Sequence, residues 1–397
     1  MNKRISVGVA VSLVLIAIAI TFSAATIFSM RLFDSKVSSA QERATMYDKL
    51  SEIDKIIRQN YYGDIDDAAL FSGTANGFIA GLGDKYSAYL TAEQIAQRAL
   101  EMEGTTVGFG IGVERNPAGY IVINKVVPDS SADKVMLKIG DIITKIDGQD
   151  VLAAGYDVAK EMLTGVEGSK ASVVYSRDGV ETTVDLTRTT TESSSVEYTQ
   201  LNDIAYVRVD RINNTTATQF ARAITDAAAA DGSAGIVIDM RDTNGGYDIA
   251  IVADMLDVML PRGVTVTGTF AGGEVKTLFT SAENSVPVPV AVLVNEKTTG
   301  FSELFTAVMS DADNVTIIGK PTAGQGTLQQ LIKLGDGSGV CVTVALLAAP
   351  KSGPFNETGV KPDYEVSAGE KFILVTKPDE ALDAQYQKAA ETLRAKH

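Results

Sequence analysis

A long uncharged hydrophobic run near the start of the chain is the strongest pattern in the sequence. No residue from 5 to 30 carries a charge, and the run has no polar face. A helix of this length, at about 1.5 Å per residue, crosses the roughly 30 Å hydrocarbon core of a bilayer. Lys3 and Arg4 precede it, which favours a cytoplasmic start. The pattern predicts residues 1–4 in the cytoplasm, a single transmembrane anchor at 5–30, and the bulk of the chain on the extracytoplasmic side of the plasma membrane.

A cleaved signal peptide is the alternative for this run. Ser23, Ala24 and Ala25 offer a cleavage site made of small residues. The apolar stretch is longer than the core of a typical signal peptide and continues past that site, which favours an uncleaved anchor.

Two amphipathic helices are predicted after the anchor. Apolar residues recur at helical spacing between Val37 and Asn60 and again between Asp67 and Leu82. Apolar faces of this kind are more typical of core packing than of partner binding. These helices form the predicted N-terminal helical region, residues 37–95.

Short strands separated by turns follow, and they predict a mostly β domain at residues 100–190. Strands are expected at Val107–Ile111, Tyr120–Ile123, Ile139–Ile143 and Ala171–Tyr175. Asp147 and Gly148 form a dipeptide typical of a hairpin turn. The polar stretch Thr187–Ser195 predicts a linker.

Strands and helices alternate in the rest of the chain, residues 196–397. The predicted elements are strands at Ile204–Val209, Ile236–Met240 and Val290–Val294, and helices at Thr216–Ala230, at Ile249–Leu260, up to Met309 and at Asp379–Ala395. This alternation predicts an α/β layer architecture.

Composition removes several classes of chemistry. The only histidine is His397 and the only cysteine is Cys341. A Ser-His-Asp triad, a Cys-His pair, the common zinc sites and an intrachain disulfide are therefore excluded. A net charge of −15 argues against general nucleic-acid binding. No cofactor or metal is expected.

Residues Ser131–Ile143, closed by Ile146–Gly148, resemble the middle of a PDZ domain. Gly108, Phe109, Gly110 and Ile111 stand at the place of its carboxylate-binding loop. A glycine-rich turn exposes backbone N–H groups that capture a peptide C-terminal carboxylate, and the peptide adds as a strand to the sheet edge. The resemblance implies polypeptide C-termini or unfolded protein as partners. A β-domain without a ligand is the alternative.

Further segments resemble motifs of the C-terminal processing peptidases, also called tail-specific proteases, and they follow one another in the order of that family. They are Leu82–Leu90, Ile238–Gly246, Val292–Glu296 leading into Ser302–Leu304, and Gly359–Asp363. The resemblance implies a Clp-protease- and crotonase-like α/β core with an inserted PDZ domain.

That family uses a Ser-Lys dyad, and both members are missing here. The serine position, three residues before Glu303, is Gly300; the lysine position, between two glycines, is Gln325. Glycine cannot form an acyl-enzyme, and a carboxamide cannot take a proton near neutral pH. Loss of the nucleophile costs on the order of 10⁶ in rate in a serine protease. Gly300 can also serve as a helix N-cap, with Glu303 at the third helical position.

The rest of the family site is retained by resemblance. Backbone N–H groups of Gly246 and Phe301 would form the oxyanion hole, with Phe301 in place of a small residue. Gln329 matches a glutamine that supports the lysine, although a plain exposed polar residue is an equal alternative.

The sequence therefore predicts a membrane-anchored pseudopeptidase, either as a homo-oligomer or as the structural partner of an active paralogue. The alternative is an active endopeptidase whose nucleophile is Ser302 or Thr299 and whose base is a lysine outside the family position, Lys297 or Lys320. Catalytic groups must lie within hydrogen-bond reach of each other. The active endopeptidase therefore requires one of these hydroxyls to lie next to one of these lysines, and the pseudopeptidase does not.

Overall fold

The computed structural model of the protein describes residues 44–192, 194–282, 286–368, 378 and 381–396. The predicted anchor at 5–30 lies outside these ranges. Within them, every helix is too short or too polar to cross a bilayer. The chain divides into two compact units, one ending at Thr74 and the other beginning at Ala75.

The described part of the first unit contains helix α1, residues 44–60, and the start of helix α2, Asp67–Ala80. Arg58 forms ion pairs with Asp54 and Asp67, at 2.9 and 2.6 Å. The prediction of core packing is wrong for α1, because its apolar Ile53 and Ile56 are about half exposed, at 48% and 52%.

The second unit contains the remaining elements. Its helices are α3 (Ala92–Glu103), α4 (Ser131–Lys134), α5 (Val151–Ala154), α6 (Tyr156–Glu161), α7 (Thr216–Ala228), α8 (Ile249–Met259), α9 (Phe301–Ser310) and α10 (Ala384–Lys396), with a short 3₁₀ turn at Ala271–Gly273. Its first strands are β1 (Ala88–Leu90), β2 (Thr105–Gly108), β3 (Ile111–Arg115), β4 (Ile121–Val126), β5 (Ile142–Ile146), β6 (Gln149–Asp150), β7 (Lys170–Arg177), β8 (Val180–Thr187) and β9 (Thr189–Glu192). The later strands are β10 (Val196–Leu201), β11 (Ile204–Val209), β12 (Gly235–Asp239), β13 (Thr265–Phe270), β14 (Val275–Thr280), β15 (Val290–Val294), β16 (Val315–Gly319), β17 (Thr327–Lys333), β18 (Gly339–Ala349), β19 (Gly353–Pro354) and β20 (Tyr364–Glu365).

The predicted β domain is built on an antiparallel sheet in the order β3-β4-β5-β7-β8, with β6 beside β5. It encloses a core of its own that includes Phe109, Ile121, Ile143 and Leu186. Strand β3 forms one edge of the described sheet. Helix α6 lies near β3, with the hydroxyl of Tyr156 3.5 Å from the carbonyl oxygen of Val113.

Two local predictions in this domain have opposite outcomes. The hairpin turn at Asp147-Gly148 is confirmed: both residues have positive φ, at 49° and 79°, as a type I′ turn requires. The linker predicted at Thr187–Ser195 is wrong, because its middle forms β9, which pairs with β2. Threonine is polar but β-branched, and its preference for strands prevails once a partner strand is available.

The α/β core is a six-stranded sheet in the order β10-β11-β12-β15-β16-β20. The pairs from β11 through β20 are parallel, and only β10 runs antiparallel to its neighbour. Strands β11, β12, β15 and β16 are buried along their whole length, as expected for a parallel sheet covered on both faces. The predicted α/β architecture is confirmed.

The α/β core also contains an antiparallel sheet, which was not predicted from the sequence. Its order is β1-β18-β13-β14, with β17 and β19 also paired to β18. It places β17 and β18 next to the loops that follow the parallel strands.

A buried ionic network attaches helix α10 to the end of β12. Arg241 contacts Asp239 at 2.5 Å and Asp383 at 2.8 Å. Arg208 lies 3.2 Å from the same Asp239 carboxylate. Burial alone would raise the pKa of Asp239, but the two arginine charges outweigh it and lower that pKa to about 2. The network fixes the start of the loop that leads to Gly246.

Candidate active site

Three loops that follow adjacent parallel strands meet at one edge of the core sheet. The loop after β12 carries Gly246, the loop after β15 carries Gly300, and the loop after β16 carries Gln325. Carboxyl ends of neighbouring parallel strands lie together, and ligand sites of open α/β sheets form there. The sheet topology thus explains why residues far apart in sequence share one site.

Gly300 occupies a sharp turn between the loop and helix α9. Its φ of 63° and ψ of −125° lie in a region that side chains rarely adopt. A Cβ atom at this position would still have room, 3.6 Å from Gly245 Cα and 3.7 Å from Gln325 Oε1. A side chain at residue 300 would therefore face residue 325, so the two predicted dyad positions are neighbours.

The buried carboxylate of Glu303 holds these two positions together. One oxygen accepts hydrogen bonds from the N–H groups of Gly300 at 3.0 Å and Gln325 at 2.7 Å. The other accepts from the N–H of Gly324 at 2.6 Å and the hydroxyl of Thr322 at 2.5 Å. Gly300 is the N-cap of α9 and Glu303 its third residue, as the sequence predicts.

The predicted oxyanion residues lie beside Gly300. A Cβ atom on Gly245 would stand 1.9 Å from the backbone N of Phe301, so only glycine permits this close approach. Gly246, with φ of 65°, has its N–H 3.3 Å from the side-chain oxygen of Asn244. Phe301 is nearly fully buried and packs into the main core.

A cavity of about 200 Å³ opens at this site, and all five predicted residues of the core line it: Gly246, Gly300, Phe301, Gln325 and Gln329. Gln329 also donates a hydrogen bond to the carbonyl oxygen of Tyr86. The cavity brings the predicted residues together. That they correspond to the family's catalytic site stays a prediction.

The sequence did not identify several residues that line the cavity. They are Ile95, Arg98, Ala99 and Met102 of helix α3, together with Tyr247, Thr327, Leu331, Lys333 and Cys341. One signal for α3 was available: Thr91 and Gln94 form a capping box at its start.

Burial, followed by the neighbouring Glu101 charge, raises the pKa of Tyr247 to about 12, so its hydroxyl stays protonated and donates to Glu101 at 2.9 Å.

Of the two hydroxyls proposed as relocated nucleophiles, that of Ser302 is bound to the backbone. Ser302 is fully buried, and its Oγ lies 2.7 Å from the carbonyl oxygen of Thr243 and 2.6 Å from that of Thr299. The backbone N–H of Thr299 donates to Thr243 as well. Ser302 is thus held as a structural donor to the backbone.

The lysines near this segment are also directed elsewhere. Lys320 pairs with Glu365 at 2.8 Å, and Lys297 is exposed. Lys333 does line the cavity, but it lies six residues along β17 from Thr327, a distance of roughly 20 Å at strand rise. Of the lysines named as alternative bases, neither Lys297 nor Lys320 is among the described residues that line the cavity.

The predicted peptide-binding loop of the β domain spans the junction of β2 and β3. Phe109 is buried in the domain core, and Gly108 and Ile111 lie on the two strands. A Cβ atom on Gly110 would come within 2.1 Å of Ser130 Cβ, so this position requires glycine. The loop precedes the edge strand β3, as peptide addition requires.

Comparison with protein families agrees with this arrangement. Residues 203–366 match peptidase family S41, residues 97–175 match the PDZ domain, and residues 12–94 match the N-terminal domain of the activating protease CtpB. The three matches follow one another along the chain. The chain belongs to the S41 family of C-terminal processing peptidases and carries a PDZ domain.

Relatives within the family support the same assignment. The chain is 29% identical to the carboxy-terminal processing protease CtpA of Bacillus subtilis over 332 residues, which cover 82% of this chain and 70% of the relative. It is 26% identical to the protein named Probable CtpA-like serine protease of Staphylococcus epidermidis over 373 residues, 92% of this chain and 75% of the relative.

Solved structures show the S41 fold. A structure from Bacteroides fragilis assigned to the S41 proteases superposes with a TM-score of 0.56 at 16% identity and covers 87% of this chain and 97% of its own. The photosystem II D1 C-terminal processing protease superposes with a TM-score of 0.51 at 24% identity and covers 86% and 90%.

Proposed function

We propose that this S41-family chain is a pseudopeptidase that binds polypeptide C-termini through its PDZ domain and holds polypeptide in its core without cutting it. The observation that carries the proposal is the pairing of Gly300 with Gln325. A Cβ atom built on Gly300 would lie 3.7 Å from Gln325 Oε1, and neither residue offers a nucleophile or a base.

The cavity supports a holding role for the core. An apolar cavity of about 150 Å³ is enough to admit benzene, and this one, at about 200 Å³, is bounded by Ile95, Met102 and Phe301. It therefore has room for one large apolar side chain of a bound polypeptide. The backbone of the bound polypeptide would then lie next to the predicted oxyanion donors, where Gly300 and Gln325 supply neither a nucleophile nor a base.

We further propose that the protein is anchored in the plasma membrane by residues 5–30, with its folded part on the extracytoplasmic side. The uncharged run and the preceding Lys3 and Arg4 support this placement. Assembly as a homo-oligomer or with an active paralogue stays a prediction. Co-purification from detergent-solubilised membranes tests it, and recovery of a lone homomer would exclude the paralogue.

The single cysteine gives a direct test of the holding role. Cys341 is buried and lines the cavity, so the rate at which a thiol reagent labels it reports on occupancy. Alkylated, unfolded casein is the probe, because it carries no free thiol. We expect casein to slow the labelling of Cys341 while remaining intact on a gel. An unchanged labelling rate would count against holding in the core, and casein fragments would count against the pseudopeptidase.

A further inference from the structure

Arg188 is a buried cation at the end of the PDZ sheet that faces the peptide-binding loop. It follows β8 directly and is 8% exposed. Its guanidinium carbon lies 4.8 Å from the centre of the Phe109 ring. One terminal nitrogen donates to Ser169 Oγ at 3.0 Å and the other to the carbonyl oxygen of Met162 at 2.6 Å. Its buried Nε lies beside Gly165 and has no hydrogen-bond partner among the described residues.

The charge of Arg188 is not balanced within the described part of the chain. The acceptors of its hydrogen bonds, Ser169 and Met162, are neutral, and no carboxylate of the described residues forms an ion pair with it. A buried charge is costly unless it is paired, and contact with an aromatic ring compensates only part of that cost. Arg177 also contacts a PDZ aromatic ring, but it is bound to Asp141 at 2.6 Å.

The contacts of Arg188 place it between the loop before β3 and the C-terminal end of α6. Phe109 belongs to the loop that begins β3, and Met162 is the C-cap of α6. These two segments approach each other closely, since a Cβ atom on Gly108 would lie 3.4 Å from the Leu163 carbonyl oxygen. A peptide added to β3 would end beside this loop.

We infer that Arg188 binds the C-terminal carboxylate of a peptide lying along β3, together with the backbone N–H groups of the loop at Gly108–Ile111. Guanidinium is the group best suited to a buried pair with carboxylate, because its planar donors match the two oxygens. The ligand class is a polypeptide with a free C-terminal carboxylate. This inference rests on the proposed function of the PDZ domain and names the residue that would supply its charge.

The test compares peptides that differ only in the terminal group. A pool of ten-residue peptides, randomised at the last four positions, is prepared with free carboxylates and again as carboxamides. Both pools are passed over the immobilised full-length protein in mild detergent, and retained peptides are quantified by mass spectrometry. The carboxamide pool still contains acidic side chains, so it separates recognition of a terminal carboxylate from recognition of Asp or Glu within the peptide.

The wild-type protein is expected to prefer the carboxylate pool by at least about 10-fold. Arg188→Met is expected to lose that preference, because truncating one partner of a buried charge pair removes most of the pair's contribution to binding. Arg188→Lys keeps the charge but loses the planar donors, so an intermediate preference is expected. Ser169→Ala removes one hydrogen bond from the guanidinium and leaves its charge, so it is the matched control and is expected to stay within about 3-fold of wild type.

Thermal unfolding without peptide separates binding from a structural role. Arg188→Met removes an unpaired buried charge, so its midpoint is expected to equal or exceed that of wild type. A lowered midpoint together with an unchanged preference for carboxylates would show that Arg188 is structural and overturn the inference alone. A wild-type protein that retains both pools equally would overturn C-terminus binding by the PDZ domain, and the inference with it.

Discussion

The carboxylate of Glu303 joins the two positions at which a family dyad would stand, accepting hydrogen bonds from the N–H of Gly300 at 3.0 Å and from the N–H of Gln325 at 2.7 Å. It holds the loops after β15 and β16 at a fixed separation. This carboxylate therefore keeps the two predicted dyad positions next to each other.

The first prediction concerns this carboxylate. Glu303→Gln replaces one acceptor oxygen by an NH₂ group that would face N–H donors, so the free energy of unfolding is expected to fall by about 2 to 4 kcal/mol. Urea denaturation at pH 7 measures the change. Glu296→Gln, at an exposed position of the same loop, is the control and is expected to change stability by less than about 0.5 kcal/mol. Equal effects of the two substitutions would show that Glu303 does not hold the loops.

The second prediction restores the dyad. The Cβ space at residue 300 and its orientation toward residue 325 favour recovery of proteolysis in Gly300→Ser with Gln325→Lys. The double variant is expected to cleave unfolded casein at least about 100-fold faster than either single variant, since each member of a dyad depends on the other. A double variant as inactive as the singles would mean that the pocket has also changed, and Phe301 is then the first residue to replace.

The third prediction ranks three glycines by their surroundings. Gly245→Ala puts a Cβ atom 1.9 Å from the backbone N of Phe301, so a loss of more than about 3 kcal/mol is expected. In Gly300→Ala the new Cβ atom meets no close atom. Only the positive φ is unfavourable, so the free energy of unfolding is expected to fall by about 1 to 2 kcal/mol.

Gly335→Ala is the control for that series, because a Cβ atom there meets nothing within 4 Å. Chemical denaturation of the three variants gives the order. A loss at Gly300 as large as that at Gly245 would contradict the open space assigned to position 300.

The fourth prediction follows from the depressed pKa of Asp239. Its pKa in the folded protein, about 2, lies below the ordinary 3.8, so ionised Asp239 stabilises the fold above pH 4. That contribution is lost as the pH falls from about 4 through 2. Asp239→Asn leaves Arg241 without one of its carboxylates and is expected to cost about 3 to 5 kcal/mol at pH 7.

The difference between wild type and Asp239→Asn is expected to shrink as the pH falls from 4 to 2, since only the wild-type protein loses a carboxylate there. Urea denaturation across this pH range measures it. A difference that stays constant down to pH 2 would show that the Asp239 carboxylate does not titrate in this window.

Local chemistry allowed part of the fold to be predicted from sequence. The Asp147-Gly148 dipeptide predicted a turn, which the positive φ values confirm. The apolar runs Ile236–Met240 and Val290–Val294 predicted strands, which pair in parallel in the structure. The convergence of Gly300 and Gln325 followed from resemblance, and the sheet topology supplies its physical basis.

Long-range pairing accounts for what the sequence did not reveal. The eleven residues of β18 are nearly all apolar or β-branched, and periodicity alone cannot distinguish such a run from a buried helix. The cavity was missed for the same reason, because one wall comes from α3 and another from β17, far apart in sequence. The strand character of Thr189–Glu192 depends on pairing with β2, which local composition does not encode.

The central claim is that the core holds polypeptide without hydrolysing it, and a cleavage assay tests it most directly. The purified full-length protein is incubated with unfolded casein, and new termini are counted by mass spectrometry alongside the Ser302→Ala and Thr299→Ala variants. No new termini are expected with any of the three proteins. Cleavage by the wild-type protein that either substitution abolishes would contradict the central claim.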